Sequence, residues 1–102
     1  MNQIITRNQD TLKQLCYQYH VKNLEVFGSV TRDDFDAEKS DIDFLVEFNP
    51  MDSSNYADNY FNLHSALQQL FKTPVELVVG STIKNPYFLE SIKADRSFLY
   101  AA

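Results

Sequence analysis

The chain has 102 residues, a hydrophobic fraction of 44% and a formal net charge of −5 from 9 basic and 14 acidic side chains. This length predicts a single domain over residues 1–102 with a modest core, and the acidic balance disfavours direct nucleic-acid binding, which needs a Lys/Arg surface. The one cysteine excludes an intrachain disulfide. No apolar run approaches the ~18 residues of a membrane span, and the N-terminus lacks a signal-peptide pattern. We therefore expect a cytoplasmic protein without membrane contact.

Residues from about Ile4 to Tyr19 carry a helical pattern, with apolar side chains three and four positions apart. Cys16 lies within that apolar stripe, so we expect a buried structural thiol rather than a reactive one. A short β-type run from Leu24 to Phe27 follows and ends at Gly28. Residues 31–40 are polar and without a strict period, which predicts a loop with at most one helical turn.

Ile42 to Phe48 is the strongest predicted strand, because every second residue from Ile42 is apolar and these residues share one face. A second helix is predicted from Asp52 or Ser53 to about Phe71, and His64 lies beside its apolar stripe, where a packed or half-exposed histidine is favoured over a catalytic one. A third strand covers Val75 to Val79. A weaker helix is expected from about Asn85 or Pro86 to the C-terminus, anchored in part by Phe98. This order predicts an α/β layer with helices against a small sheet.

Asp41 and Asp43 form a D-x-D pair at the start of the strongest strand. Side chains at i and i+2 of a strand point the same way, with Cβ atoms roughly 6.5–7 Å apart. Two carboxylates so placed can converge on divalent cations, which stabilise the attacking and leaving oxygens of an in-line displacement. A solvated pair at the start of a strand is the alternative for an isolated D-x-D.

Gly28 and Ser29 follow the first strand directly. A glycine there allows the backbone to approach a ligand closely, and a following helical turn would offer unpaired N–H groups and the Ser29 hydroxyl to phosphate oxygens. Arg32 comes one helical turn later and can grip a triphosphate, although ion pairing with the acidic loop residues is an equal alternative. The Gly-Ser pair alone is an ordinary turn. Its short sequence distance from the D-x-D pair makes the prediction of a nucleotide site more specific.

Glu76 is the best candidate for a third carboxylate, because a charge inside an apolar strand is costly unless it is paired or metal-bound. The alternative is that Glu76 faces solvent on an edge strand. The sequence contains no Walker A motif, no H-E-x-x-H motif and no Cys/His zinc spacing.

At these residues the sequence resembles the minimal nucleotidyltransferase (MNT) family of the DNA polymerase β-like superfamily, over nearly the whole chain. The resemblance implies a small mixed β-sheet flanked by helices, with ATP and two Mg²⁺ ions bound. Gly28 and Ser29 would hold the triphosphate, Asp41 and Asp43 would hold metal, and Glu76 would be the third, catalytic acid, which deprotonates the incoming hydroxyl while holding a metal. The matching segments are Val26–Arg32, Ser40–Phe48 and Val75–Val78.

The resemblance also implies a function. Members are often antitoxins paired with HEPN-domain toxins, and some inactivate the toxin by transferring AMP from ATP to a tyrosine. We expect such a protein adenylyltransferase here, with non-catalytic neutralisation by binding and transfer to a small molecule as alternatives. Exposed aromatics among Tyr17, Tyr56, Tyr87 and Tyr100 would supply the interface for binding. The third acid is Glu where the family usually has Asp, which bears on its reach as a base.

Overall fold

A computed structural model describes residues 3–28, 41–80 and 97–101 of the chain. Its four strands form one sheet in the order β3-β2-β1-β4. β2 runs parallel to β3, whereas β1 is antiparallel to both β2 and β4, so the sheet is mixed as expected. The elements are α1 (Gln3–Thr6), α2 (Gln9–Gln18), β1 (Val21–Phe27), β2 (Ile42–Phe48), α3 (Ser53–Phe71), β3 (Val75–Val79) and β4 (Ser97–Ala101).

The core lies between one face of the sheet and the helices. Ile42, Phe44 and Val46 of β2 are fully buried there, because alternate side chains of a strand share a face. Leu63 and Leu67 of α3 close the same core from the helix side. The alternation predicted for this strand is therefore confirmed, and Asp43 is left on the opposite face.

Cys16 has no solvent exposure, in agreement with the structural role predicted for it. Burial raises the pKa of its thiol to about 12, so the reactive thiolate is disfavoured at neutral pH.

The predicted N-terminal helix is divided into two. α1 ends at Thr6, and α2 starts at Gln9. The Asn8 side chain donates a hydrogen bond of 2.7 Å to the Ile4 carbonyl oxygen. This bond satisfies a carbonyl that a continuous helix would have paired with the Asn8 backbone, which explains how the chain can turn here.

The C-terminal helix prediction is wrong where the structure can test it. Ser97–Ala101 forms strand β4, and Phe98 pairs with Glu25 of β1 instead of anchoring a helix. Aromatic residues favour strands when a neighbouring strand is available, and that tertiary pairing outweighs a weak helical pattern. The part of the predicted helix from residue 85 to residue 96 lies outside the described residues.

The boundaries of α3 follow from its capping residues. The Asp52 carboxylate accepts a hydrogen bond of 2.9 Å from the Asn55 backbone N–H, so Asp52 is the N-cap. At the other end Lys72 adopts a left-handed conformation with φ of 55°, and its N–H donates to the Gln68 carbonyl. Within the described ranges no helix is long and apolar enough to cross a membrane.

Candidate functional site

Three strands bring the predicted site residues to one end of the sheet. β1 is antiparallel to β2, so its C-terminal end lies beside the beginning of β2, and Phe27 pairs with Asp43. β3 is parallel to β2, and its register places Glu76 directly beside Asp43. Gly28, which follows Phe27, therefore lies next to Asp43 and Glu76, although nearly fifty residues of sequence intervene between the first and the last.

Gly28 is in contact with the Asp43 carboxylate. Its φ is +80°, a backbone conformation that residues other than glycine rarely adopt. A Cβ added there would lie 2.7 Å from Asp43 Oδ2. The position thus requires glycine both for its backbone conformation and for the space that the carboxylate occupies. The predicted role of Gly28 beside a ligand stays a prediction.

Replacing Gly28 by alanine is expected to destabilise the fold by about 1–2 kcal/mol through its positive φ and to displace the Asp43 carboxylate. Thermal unfolding measures the first effect and nucleotidyl transfer the second. Because the clash is with the end of the Asp43 side chain, a double-mutant cycle with Asp43→Ala isolates it. In the Asp43→Ala background only the backbone cost should remain; a strictly additive cycle would contradict the contact.

Asp43 is half-buried, and its surroundings disfavour its charge. Burial, followed by the hydrogen bond and the charge of Glu76 and then by the charge of Asp41, raises the pKa of Asp43 from 3.8 to about 6. Two carboxyl groups that share a hydrogen bond need a proton or a cation between them. This carboxylate pair is therefore held in an arrangement that favours a positive ligand.

The other two predicted carboxylates are more exposed than Asp43. Asp41 immediately precedes β2 and is exposed, and its charge reaches Asp43. Glu76 is also exposed, as the solvent-facing alternative predicted, yet it faces Asp43 rather than water alone. Ser29 and Arg32 lie outside the described residues.

The chemistry of these donors fits Mg²⁺ in part. Mg²⁺ takes one or two carboxylates from a protein and completes its shell with phosphate oxygens and waters. Asp43 and Glu76 supply such a pair. Among residues 3–28, 41–80 and 97–101, no three Asp, Glu, His or Cys side chains are grouped to hold a metal by themselves. The pair therefore suits a cation that arrives with a nucleotide better than a permanent structural ion.

The exposure of two aromatic side chains was not predicted from the sequence. Phe61 is 65% exposed and Phe98 is 59% exposed, beside the expected Tyr17 at 81%. Phe61 does not belong to the apolar stripe that contains Leu63 and Leu67, and a large apolar residue outside such a stripe is the signal that would have found it. Tyr56 and Tyr100 are partly buried against the core, and Tyr87 lies outside the described residues.

Comparison with known proteins identifies the family to which this chain belongs. Residues 9–99 match the nucleotidyltransferase domain. Two relatives from Methanocaldococcus jannaschii, each named "Putative protein adenylyltransferase", are 39% and 34% identical to this chain over 92 and 97 residues. These alignments cover 90% of this chain and 87% of the first relative, and 93% of this chain and 90% of the second.

Solved structures share the fold. A "putative minimal nucleotidyltransferase" superposes with a TM-score of 0.75 at 24% identity, covering 95% of both chains. A toxin-antitoxin complex with AMP-PNP contains a chain with a TM-score of 0.70 at 17% identity, covering 93% of this chain and 74% of that one. A complex of an MNT antitoxin with the tri-AMPylated HEPN toxin of Shewanella oneidensis contains a chain with a TM-score of 0.59 at 18% identity, covering 95% of this chain and 72% of that one. The expected polymerase β-like architecture is confirmed, and the chain belongs to the nucleotidyltransferase domain family.

Proposed function

We propose that this protein transfers AMP from Mg²⁺-bound ATP to a hydroxyl group of a partner protein, and that the partner is the HEPN-domain toxin of a toxin-antitoxin pair. The observation that carries the proposal is the β2–β3 register, which sets Glu76 beside Asp43 while Gly28 touches the Asp43 carboxylate. A metal-bound triphosphate requires carboxylates for the metal and a closely approaching backbone for the phosphates, both at the same place.

Each residue has a role in this reaction. The backbone at Gly28, together with Ser29 and Arg32, holds the triphosphate, and Asp41 and Asp43 bind cations. The acceptor oxygen forms a bond to the α-phosphorus, the bond to the bridging oxygen of the β-phosphate breaks, and pyrophosphate leaves. Glu76 is exposed, so it is accessible to an incoming hydroxyl group and can take its proton. Bound Mg²⁺ supplies charge stabilisation for the phosphate oxygens.

The relatives support the choice of acceptor. Their names specify transfer of an adenylyl group to protein. One superposed complex joins an MNT antitoxin to a tri-AMPylated HEPN toxin, and another is a toxin-antitoxin complex with AMP-PNP. We extend both features to this chain as parts of the proposal.

Incubation of the protein with α-labelled ATP, Mg²⁺ and the product of the neighbouring gene is expected to label that product, which on this proposal is a HEPN protein. Chelation of the metal with EDTA should abolish the label, because the carboxylate pair then has no cation to present to the phosphates. Gel autoradiography and intact-mass measurement, with a gain of one AMP per modified hydroxyl group, give the readout. Labelling that persists without divalent metal, or that appears only on small molecules, would contradict the proposal.

Neutralisation by binding alone is the second candidate. It is favoured by the exposed aromatics, because Phe61 borders an apolar cavity of about 490 Å³ between α3 and β3. Aromatic side chains are enriched in the buried centres of protein interfaces. On this candidate the carboxylate pair would be dispensable for protection from the toxin.

A growth assay separates the two candidates. Cells that express the toxin are rescued by the wild-type protein in either case. The Asp41→Asn/Asp43→Asn variant should fail to rescue if AMP transfer is required, and should rescue fully if binding is sufficient. Co-purification of this variant with the toxin shows that a failure to rescue is not a failure to bind.

A further inference from the structure

The edge of β3 that faces away from β2 presents backbone groups of Val75 and Leu77. In the β2–β3 ladder the Ile42 N–H donates to the Pro74 carbonyl at 3.1 Å, and Glu76 pairs with Asp43. Backbone groups of successive strand residues point to opposite sides, so those of Val75 and Leu77 point away from β2. β3 is also the terminal strand of the described sheet.

Three side chains of α3 hydrogen-bond to this outer edge. The Tyr60 hydroxyl donates to the Leu77 carbonyl at 2.6 Å, and His64 Nε2 lies 2.7 Å from the Val75 carbonyl. The Val75 N–H donates to Gln68 Oε1 at 3.3 Å. Because a carbonyl only accepts, His64 Nε2 must carry a proton. Tyr60, His64 and Gln68 are spaced four residues apart and share one helix face; we call them the α3 clamp.

The clamp encloses Glu76. The carbonyl held by His64 belongs to the peptide group that joins Val75 to Glu76, and the carbonyl held by Tyr60 belongs to the peptide group that joins Leu77 to Val78. On its other side β3 is held by β2. The exposed Glu76 side chain thus projects from a strand segment whose backbone is hydrogen-bonded along both edges.

We propose that Tyr60 and His64 are positioning residues that hold Glu76 beside Asp43 for the transfer step. The proposal rests on the proposed function for the role of Glu76. Catalytic groups need placement within about 0.5 Å, and a 1 Å error can cost about 10²-fold in rate. Gly28 follows β1 and Asp43 lies on β2, so loosening β3 should affect the chemical step more than nucleotide binding.

The experiment uses Tyr60→Phe, His64→Leu and their double variant, with His64→Gln as the conservative replacement that retains an N–H donor. Tyr19→Phe is the matched control, because it removes a hydroxyl from a tyrosine that packs on the same core from the C-cap of α2. The readouts are kcat and the KM for ATP in toxin labelling, and amide hydrogen exchange of residues 73–80. Thermal unfolding verifies that each variant is folded.

The double variant should lower kcat by about 10–100-fold, with the KM for ATP changed less than about 3-fold, and should accelerate exchange in β3. His64→Gln should recover most of the loss caused by His64→Leu, and Tyr19→Phe should match the wild type. Unchanged kcat in a folded double variant would overturn the positioning role, as would equal losses with His64→Gln and His64→Leu. If the double variant does not fold, Tyr60→Phe, which removes a single hydroxyl, provides the same test.

Hydrogen exchange keeps the clamp testable apart from the proposed function. If the wild-type protein labels no partner, the proposed function fails, and with it the positioning role in transfer. Faster β3 exchange in the double variant would still support the clamp as the device that fixes this strand. Unchanged exchange would overturn the clamp whatever the activity.

Discussion

Asp43→Asn is expected to abolish nucleotidyl transfer while increasing the stability of the metal-free protein at pH 7. The carboxylate would be lost as a cation ligand, which stops the proposed reaction. In the metal-free state, however, the Asp43 charge is unfavourable because of its burial and the neighbouring Glu76 and Asp41, which together raise its pKa to about 6. Asparagine keeps the shape and removes the charge.

The pH dependence follows from the direction of this shift. Between about pH 3.8 and 6 the folded protein binds a proton at Asp43 that the unfolded chain has released. The contribution of Asp43 to stability therefore falls as pH rises through this window and is lowest above about pH 6. The gain from Asp43→Asn should be largest near pH 7, about 1 kcal/mol once solvent screening of a half-exposed group is allowed for, and should vanish towards pH 4.

Chemical denaturation of the wild type and of Asp43→Asn at pH 4, 5.5 and 7, in EDTA, measures this effect. Asp58→Asn, which changes an exposed carboxylate of α3, is the control for a general change in net charge. A variant that is less stable than the wild type at pH 7 would contradict the electrostatic account. Retained transfer activity would contradict the role of Asp43 in binding metal.

The sequence predicted the elements whose patterns are local. The alternation in Ile42–Phe48 fixed a strand with its correct buried face, and Asp52 marked the start of α3. The prediction failed at Ser97–Ala101, where the partner strand β1 is distant in sequence and decides the conformation. Asn8 likewise divides the first helix through a side-chain bond that periodicity does not reveal.

The candidate site was predictable in its residue types but not in its pairing. Asp41 and Asp43 share a side by strand geometry alone, whereas the contact of Asp43 with Glu76 depends on the register of two strands joined through α3. A one-residue shift would have turned Glu76 towards the core. The hydrogen bonds from Tyr60 and His64 to β3 depend on long-range packing in the same way. His64 is half-buried, which agrees with the packed or half-exposed position expected for it.

Glu76→Gln is expected to lower kcat by about 10²–10⁴-fold, the usual contribution of a general base. Glutamine retains the length and hydrogen-bonding capacity of Glu76 but cannot accept a proton from the acceptor hydroxyl at neutral pH. Glu76→Asp keeps the carboxylate and shortens it by one methylene, so it should retain more activity than Glu76→Gln. Single-turnover labelling of the toxin at saturating ATP measures the chemical step without interference from product release.

An NMR titration of Asp43 in Glu76→Gln tests the contact between the two residues without any substrate. The charge of Glu76 raises the Asp43 pKa, so its removal should lower that pKa from about 6 towards 3.8, with burial and Asp41 still opposing the charge. An unchanged Asp43 pKa would contradict the contact. A lowered pKa together with full transfer activity would retain the contact but exclude Glu76 as the base, and the protein would then have to deprotonate its acceptor by another group.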